Sequence, residues 1–461
     1  MNAKVLVSAQ ARLCKKDDDG KQKQLTMTDA RNAVGQAVED AVHGTFGALV
    51  TRGIPAPDFE VTELRDLDGG TSRCEFRFDL PATMFPIEAG GLQHLIGVLC
   101  GDTFRAPSGG VEWSEVKFTN IKLPDSLRDS CRQEFGQFSY DVASIRAHFN
   151  LDHGWPLLAF TYKPRVGVPY PTVRLSTLDV LREGFNLVEP DTRRITTPAE
   201  LDQWAGLGRD AAKVRPGKTA FAPNLTLPAD MAVPAARRWR ELCPDGPFVV
   251  KVDGGLDGLS TIQALRRAFR DDDRPVVTCY PLVGGELARL PKGFLADTLI
   301  RSGADIIYPG GRPDFSGKVR AIDADRAKMY GHSASTYDRI IEEMRKMPTF
   351  AGGAHPADLH VANLLLGPNT GFFLGGAVAL HSDGPRAGAK VCYKIIEAAV
   401  KQGKRDLKEG LVKEIESKYT GRAAAGYFPP RLLFDISDNT HFPPKPYGQR
   451  AEYVDAGDDG A

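Results

Sequence analysis

Hydrophobic and polar positions along this chain follow two regimes that change near residue 150. Before that point short runs alternate between apolar and polar side chains, at Lys4 to Leu13, Phe59 to Asp66 and Ser72 to Leu80, where CEFRFDL repeats at period two. Such alternation predicts strands with one buried and one solvated face. Segments 28–49 and 88–100 carry helical spacing instead. Helices on one face of an antiparallel sheet make an α+β domain of ferredoxin-like type, expected over residues 1–145.

From Trp155 onward short apolar runs recur, all but one ending in Gly, Pro or an acid and each followed by a helical segment. They are LLAFTYKP (157–164), FNLVEPD (185–191), TAFAPNL (219–225), FVVKVDGG (248–255), VVTCYP (276–281), ADIIYPGG (304–311), TFAGG (349–353) and GFFLGG (371–376), eight in all. Helical patterning falls on Pro198 to Lys213, Pro228 to Leu242, Leu259 to Phe269, Ala321 to Met347 and Arg386 to Lys401. Eight units with almost continuously apolar strands predict a closed parallel (β/α)8 TIM barrel over residues 146–425, in preference to an open doubly wound sheet, which the same pattern also permits. Residues 426–461 are rich in Pro, Gly and Asp and are expected to form an extended tail.

Composition narrows the partners. With 59 basic and 59 acidic residues the formal charge is zero, so no global field draws the chain to nucleic acid or an anionic membrane. A small molecule or another protein is the expected partner. The seven cysteines are scattered without zinc-type spacing, and the N-terminus has no apolar leader core. No run approaches the 18 or so apolar residues of a membrane span. These features predict a cytoplasmic protein with reduced thiols.

In barrels of this kind chemistry sits at the C-terminal ends of the strands. The strand ends carry Lys163 and Arg165, Glu189 and Asp191, Asn224, Asp253, Tyr280 and Tyr308 in order. Strands 7 and 8 close on Gly352-Gly353 and Gly375-Gly376, whose backbone N–H groups suit an anion such as phosphate; tight turns alone would also account for them. Glu189 and Asp191, at i and i+2, point alike and form a candidate Mg2+ site, although a solvated acidic loop or ion pairs to Arg165 and Arg193 would read the same. Lys163 beside that pair is a candidate acid, base or carbonyl-orienting group, against the plainer reading of a surface charge. His355, His360 and His381 match neither an HExxH site nor a triad and are read as structural. Asp253-Gly254-Gly255 reads equally as a turn or a substrate contact.

With those residues in hand, the chain from about Trp155 to Gly410 resembles the RuBisCO large subunit, and more closely the RuBisCO-like proteins. PLLAFTYKPRVG stands for the family's PLxGxTxKPKxG, LREGFNLVEPDTR for LRGGxDFxKDDEN, FAGGAHP for SGGIH, and FLGGAVALHSDGPRAGAK for FGGGxxGHPxGxxxGA. The resemblance implies that Lys163 is the lysine that handles substrate protons, while the second lysine of that motif has become Arg165. It places Glu189 where the family has its carbamylated lysine, Asp191 on the aspartate ligand and Thr192 on the glutamate ligand. A carboxylate at 189 would need no CO2 to act as a ligand.

The two glycine pairs match the family's first phosphate site. Its second site is altered, with Pro281, Tyr308 and Ala351 replacing arginine, histidine and serine. Tyr280 stands for a catalytic histidine and Val98 for an asparagine, and Arg312 and Lys318 lie near the mobile-loop lysine without matching it. The resemblance therefore implies a homodimer or higher homo-oligomer without ribulose bisphosphate carboxylase activity. Its expected chemistry is enolisation, isomerisation or decarboxylation of a monophosphorylated, sugar-derived keto compound through an enediolate, as an isomerase or carbon–carbon lyase. The competing expectation is a catalytically inactive barrel that binds a phosphorylated metabolite as a sensor or partner protein.

Overall fold

The structure is a computed structural model of the chain and describes residues 3–16, 19, 21–43, 58–67, 71–101, 104, 111–162, 168–191, 194–195, 197–270, 273–281, 287, 289–309, 337–351, 356, 359, 362–363, 366–379 and 381–402. It divides into two units, Met1–Gln137 with Pro281–Ser302, and Phe138–Tyr280 with Gly303–Ala461.

The first unit contains β1 (Lys4–Lys16), β2 (Gln22–Lys23), α1 (Met27–His43), β3 (Phe59–Asp66), β4 (Thr71–Pro81), α2 (Gly91–Cys100), β5 (Val111–Lys122) and α3 (Asp125–Glu134). The long β1 lies between β4 and β5, with β3 outside β4 and β2 folded back on the end of β1, all antiparallel. Period two decides which face is inside. Val5, Val7, Ala9, Ala11 and Leu13 of β1 and Cys74, Phe76, Phe78 and Leu80 of β4 are buried, while the residues between them face outward. Helix α1 begins with a capping box, in which Thr26 Oγ1 accepts from the Asp29 N–H (3.2 Å) and Asp29 Oδ2 accepts from the Thr26 N–H (3.0 Å). This is the ferredoxin-like α+β arrangement that the alternation implies.

The second unit runs through α4 (Val142–His148), β6 (Leu157–Tyr162), α5 (Tyr170–Arg182), β7 (Leu187–Pro190), α6 (Pro198–Val214), β8 (Ala220–Phe221), α7 (Ala229–Leu242), β9 (Val249–Gly254), α8 (Leu256–Ala268) and β10 (Val276–Pro281). After α9 (Lys292–Arg301), which groups with the first unit, come β11 (Ile306–Ile307), β12 (Met347–Phe350), β13 (Gly371–Phe373), α10 (Gly376–Ala379) and α11 (Pro385–Gln402). The eight strands are parallel in the order β8-β7-β6-β13-β12-β11-β10-β9. The ring closes where Lys251 N–H donates to Pro223 O and Leu225 N–H to Lys251 O, both at 2.9 Å, around a parallel bridge between Asn224 and Lys251. All eight apolar runs become barrel strands, and the open-sheet alternative is set aside.

One helix expectation is corrected. Met347 does not end a helix but opens β12, pairing in parallel with Ile306. The helical segment stops earlier because Arg345 takes a left-handed φ of 55° and the Lys346 N–H turns back to Ile340 O at 2.9 Å. Met347 is then free to bury its side chain among the barrel-lining residues.

The N-terminal end of the barrel is tied by charge. Asp305, just before β11, accepts from the N–H groups of Tyr140 (2.6 Å) and Val277 (2.8 Å) and from the Arg266 guanidinium, with Lys346 Nζ at 3.6 Å. Arg266 also donates to the carbonyls of Gly303 (2.8 Å) and Pro275 (2.9 Å), and Lys346 to Ser139 Oγ (2.7 Å) and the Tyr140 carbonyl. Burial depresses the Lys346 ammonium to about 8 against the pull of Asp305. Among the described residues none of the seven cysteines forms a disulfide. Among the described residues no helix is long and apolar enough to cross a membrane.

Candidate functional site

Alternate residues of a barrel strand point into the barrel. One parity of the eight strands supplies the apolar filling, including Leu157, Ala159, Leu187, Ala220, Ala222, Val249, Val276 and Ile306. Continuing the same parity toward the C-terminal ends changes the chemistry to Thr161, Glu189, Asn224, Lys251, Asp253, Thr278, Tyr280 and Tyr308. The apolar layers thus form the floor of a polar chamber.

Lys251 is the hub of that chamber. Its Nζ donates to the carbonyls of Pro190 (2.7 Å) and Asp191 and lies 3.6 Å from Glu189 Oε1 and 3.5 Å from Asp253 Oδ1. Four oxygens from strands 2 and 4 therefore surround one ammonium that is almost wholly removed from water. Glu189 is held from two further sides, accepting at Oε2 from Thr278 Oγ1 (2.9 Å) and at Oε1 from Thr161 Oγ1 (3.4 Å). Burial pushes its carboxyl above the usual carboxylate range, opposed by the Lys251 charge and the two hydroxyls. Asp253 accepts at Oδ2 from Asn224 Nδ2 (2.7 Å), and its N–H donates to Thr226 Oγ1 (2.7 Å), which in turn donates to Asn224 Oδ1 (2.6 Å). Among the described residues Asp253 Oδ1 accepts no hydrogen bond and is ion-paired with Lys251.

Glycine at 258 lets α8 reach this cluster. A Cβ there would stand 2.1 Å from the Asp253 carbonyl oxygen, a backbone atom that cannot swing aside. One layer further toward the strand ends, Tyr280 and Tyr308 stack with ring centroids 4.8 Å apart and planes 12° from parallel.

Of the residues marked out in sequence, the structure brings Glu189, Asn224, Asp253, Tyr280 and Tyr308 into the chamber. Asp191 contributes its carbonyl to Lys251 and is half-buried. Gly375 and Gly376 follow β13 and lead into α10. His381 is buried in the turn after α10, its Nδ1 accepting the Asp383 N–H at 3.0 Å, a structural role. Lys163, Arg165, Thr192, Arg312, Lys318, Gly352, Gly353, His355 and His360 lie outside the described residues, as does the tail from 426.

Lys251 and Thr278 were missed as functional groups. The available signal was a lysine flanked by valines and standing two residues before Asp253, hence on the same inward parity.

Mg2+ requires oxygen donors at about 2.0–2.1 Å in an octahedron. Here the oxygens of Glu189, Asp253, Pro190 and Asp191 that could begin such a shell converge on the ammonium. With Lys251 in that position they do not fit a divalent ion. Among the described residues no three His, Cys, Asp or Glu side chains converge on another metal-sized point.

No family model matches the chain. It is 24% identical over 331 residues to the ribulose bisphosphate carboxylase of Pyrococcus abyssi, covering 69% of this chain and 73% of that protein. Its fold matches an octameric RuBisCO from Pyrococcus horikoshii, solved with sulfate, at a TM-score of 0.66 and 19% identity, covering 90% and 92% of the two chains. A RuBisCO-like protein from Burkholderia fungorum matches at a TM-score of 0.64 and 19% identity, covering 90% of this chain and 99% of that one.

Proposed function

We propose, from the premise that this chain is homologous to the RuBisCO large subunit and to RuBisCO-like proteins, that it is an enzyme working through an enediolate on a monophosphorylated, sugar-derived keto compound. The observation that carries the reading is the Glu189–Lys251–Asp253 cluster at the catalytic end of the barrel. A buried, oxygen-caged ammonium beside a carboxyl displaced from its usual range is costly for stability and suits a site that must hold a developing anion.

In the proposed reaction a base removes the proton from the carbon next to the substrate carbonyl. The C–H electron pair forms the carbon–carbon double bond, and the carbonyl pair moves onto oxygen. Lys163, on the resemblance of its motif, moves the proton, with Arg165 and Tyr280 flanking the substrate. Lys251 acts through its charge, held in its oxygen cage, to offset the new oxyanion. Protonation at the neighbouring carbon gives an isomerase. In the lyase branch no proton is removed first: the bond from that carbon to a carboxylate breaks instead, CO2 leaves, the bond pair forms the same enolate, and protonation of the carbon completes the reaction.

The phosphate is assigned to the backbone of Gly352, Gly353, Gly375 and Gly376, with Arg312 as a further candidate on the resemblance. Pro281, Tyr308 and Ala351 offer no charged donor for a second phosphate, and the absence of the family's histidines, arginine and asparagine argues against carboxylation. A homodimer, or a higher oligomer of dimers, is the proposed assembly.

The test is hydrogen exchange. Ketose and 3-oxo acid monophosphates are incubated with the protein in D2O and followed by NMR for deuterium at the carbon next to the carbonyl. Exchange on at least one monophosphate, with no CO2-dependent product from ribulose bisphosphate, is the expected result. Ligand-induced stabilisation without exchange on any of them would refute catalysis and favour a binding barrel with a sensor role.

A further inference from the structure

We infer that the Lys251 ammonium is the built-in cation of this site and takes the place of a divalent metal at Glu189. Sequence spacing puts Glu189 and Asp191 together as a candidate Mg2+ pair. The tertiary structure directs a side chain from strand 4 against the Glu189 carboxylate and the backbone carbonyl of Asp191. Lys251 Nζ donates to the carbonyls of both Pro190 and Asp191 and stands 3.6 Å from Glu189 Oε1 and 3.5 Å from Asp253 Oδ1. Carbonyl and carboxylate oxygens are the donors that hard cations select. A covalently tethered ammonium is always present at its site, whereas Mg2+ must be captured from solution and partly dehydrated.

Two further observations support this assignment. Lys251 is flanked by Val250 and Val252 in a strand whose residues are all buried, so its side chain is committed to the barrel interior. Both Glu189 oxygens are also occupied by hydroxyl donors, Thr278 on one and Thr161 on the other. These orient the carboxylate toward the lysine. A divalent ion there would meet a fixed positive charge across low-dielectric protein.

The inference rests on the geometry of the cluster and not on the enolisation reading, and its test reads metal binding rather than turnover. Mn2+, a spectroscopically visible substitute for Mg2+, is titrated into the full-length protein and followed by the loss of the free-ion EPR signal. Melting temperature is measured in parallel with Mg2+ and with EDTA.

The wild type should bind no Mn2+ that depends on Glu189, and its melting temperature should be the same in Mg2+ and chelator. Lys251→Ala and Lys251→Gln open the cage and should gain about one equivalent of Mn2+ that the wild type lacks, as the like charge is removed. Adding Glu189→Gln should abolish the gained site. If either lysine variant is unfolded in chelator, the same gain appears as refolding on addition of Mg2+ or Mn2+. A wild-type Mn2+ site lost in Glu189→Gln would overturn the inference. So would lysine variants that neither bind nor refold with divalent ions.

Discussion

Asp305→Ala should strongly destabilise the barrel unit. The carboxylate is fully buried and accepts from the backbone N–H groups of Tyr140 and Val277 at 2.6 and 2.8 Å and from the Arg266 guanidinium, with Lys346 3.6 Å away. Removing it leaves two buried cations without their counter-ion and two buried N–H donors without an acceptor. Breaking a buried ion pair by deleting one partner costs about 3–5 kcal/mol, and each unsatisfied donor adds about 1–3 kcal/mol, less where water can enter.

The low end of that range is a large share of the roughly 5–15 kcal/mol that holds a domain folded. It corresponds to a fall in melting temperature of at least about 6 °C. Asp305→Asn retains one oxygen acceptor and should lose less. Replacing all three charges together, as Arg266→Met, Asp305→Leu and Lys346→Met, should cost less than Asp305→Ala alone, because no orphaned charge remains. The assay is urea unfolding followed by circular dichroism, with the denaturant slope checked for constancy among variants. A loss under about 1 kcal/mol for Asp305→Ala, or a triple variant weaker than the single one, would refute the charge-orphaning account.

Lys346 titrates near 8 when folded against an ordinary value of 10.5, so the unfolded chain holds more protons between those limits. Its penalty is present in full below about 8, and the stability of wild type relative to Lys346→Met should rise with pH from about 8 to 10.5; a flat or falling difference in urea-unfolding free energy would contradict this. Gly258→Ala forces a methyl to within 2.1 Å of the Asp253 carbonyl, so it should lower stability by about 1–3 kcal/mol and slow substrate exchange by displacing Asp253. An unchanged melting temperature would show that α8 can move away freely.

Local chemistry in the sequence was enough to determine the architecture. Strand period, helix spacing and the punctuation of each βα unit are properties of neighbouring residues, and they marked the alternating faces of β1 and β4 and all eight barrel strands. The same local rule identified Glu189, Asp253 and Tyr280 as strand-end groups, because the C-terminal mouth of a barrel follows from strand direction. It could not decide what these groups meet. Lys251 reads in sequence as one charge inside an apolar strand, and the Pro190 carbonyl it binds is 61 residues away. Likewise Asp305, Arg266 and Lys346 come from three separate segments, and each alone resembles an ordinary surface charge. Only closure of the barrel at Asn224 and Lys251 brings strands 2 and 4 around one ammonium and removes it from water. The pairing of buried charges depends on distances across the barrel, and residue spacing along the chain does not encode those distances.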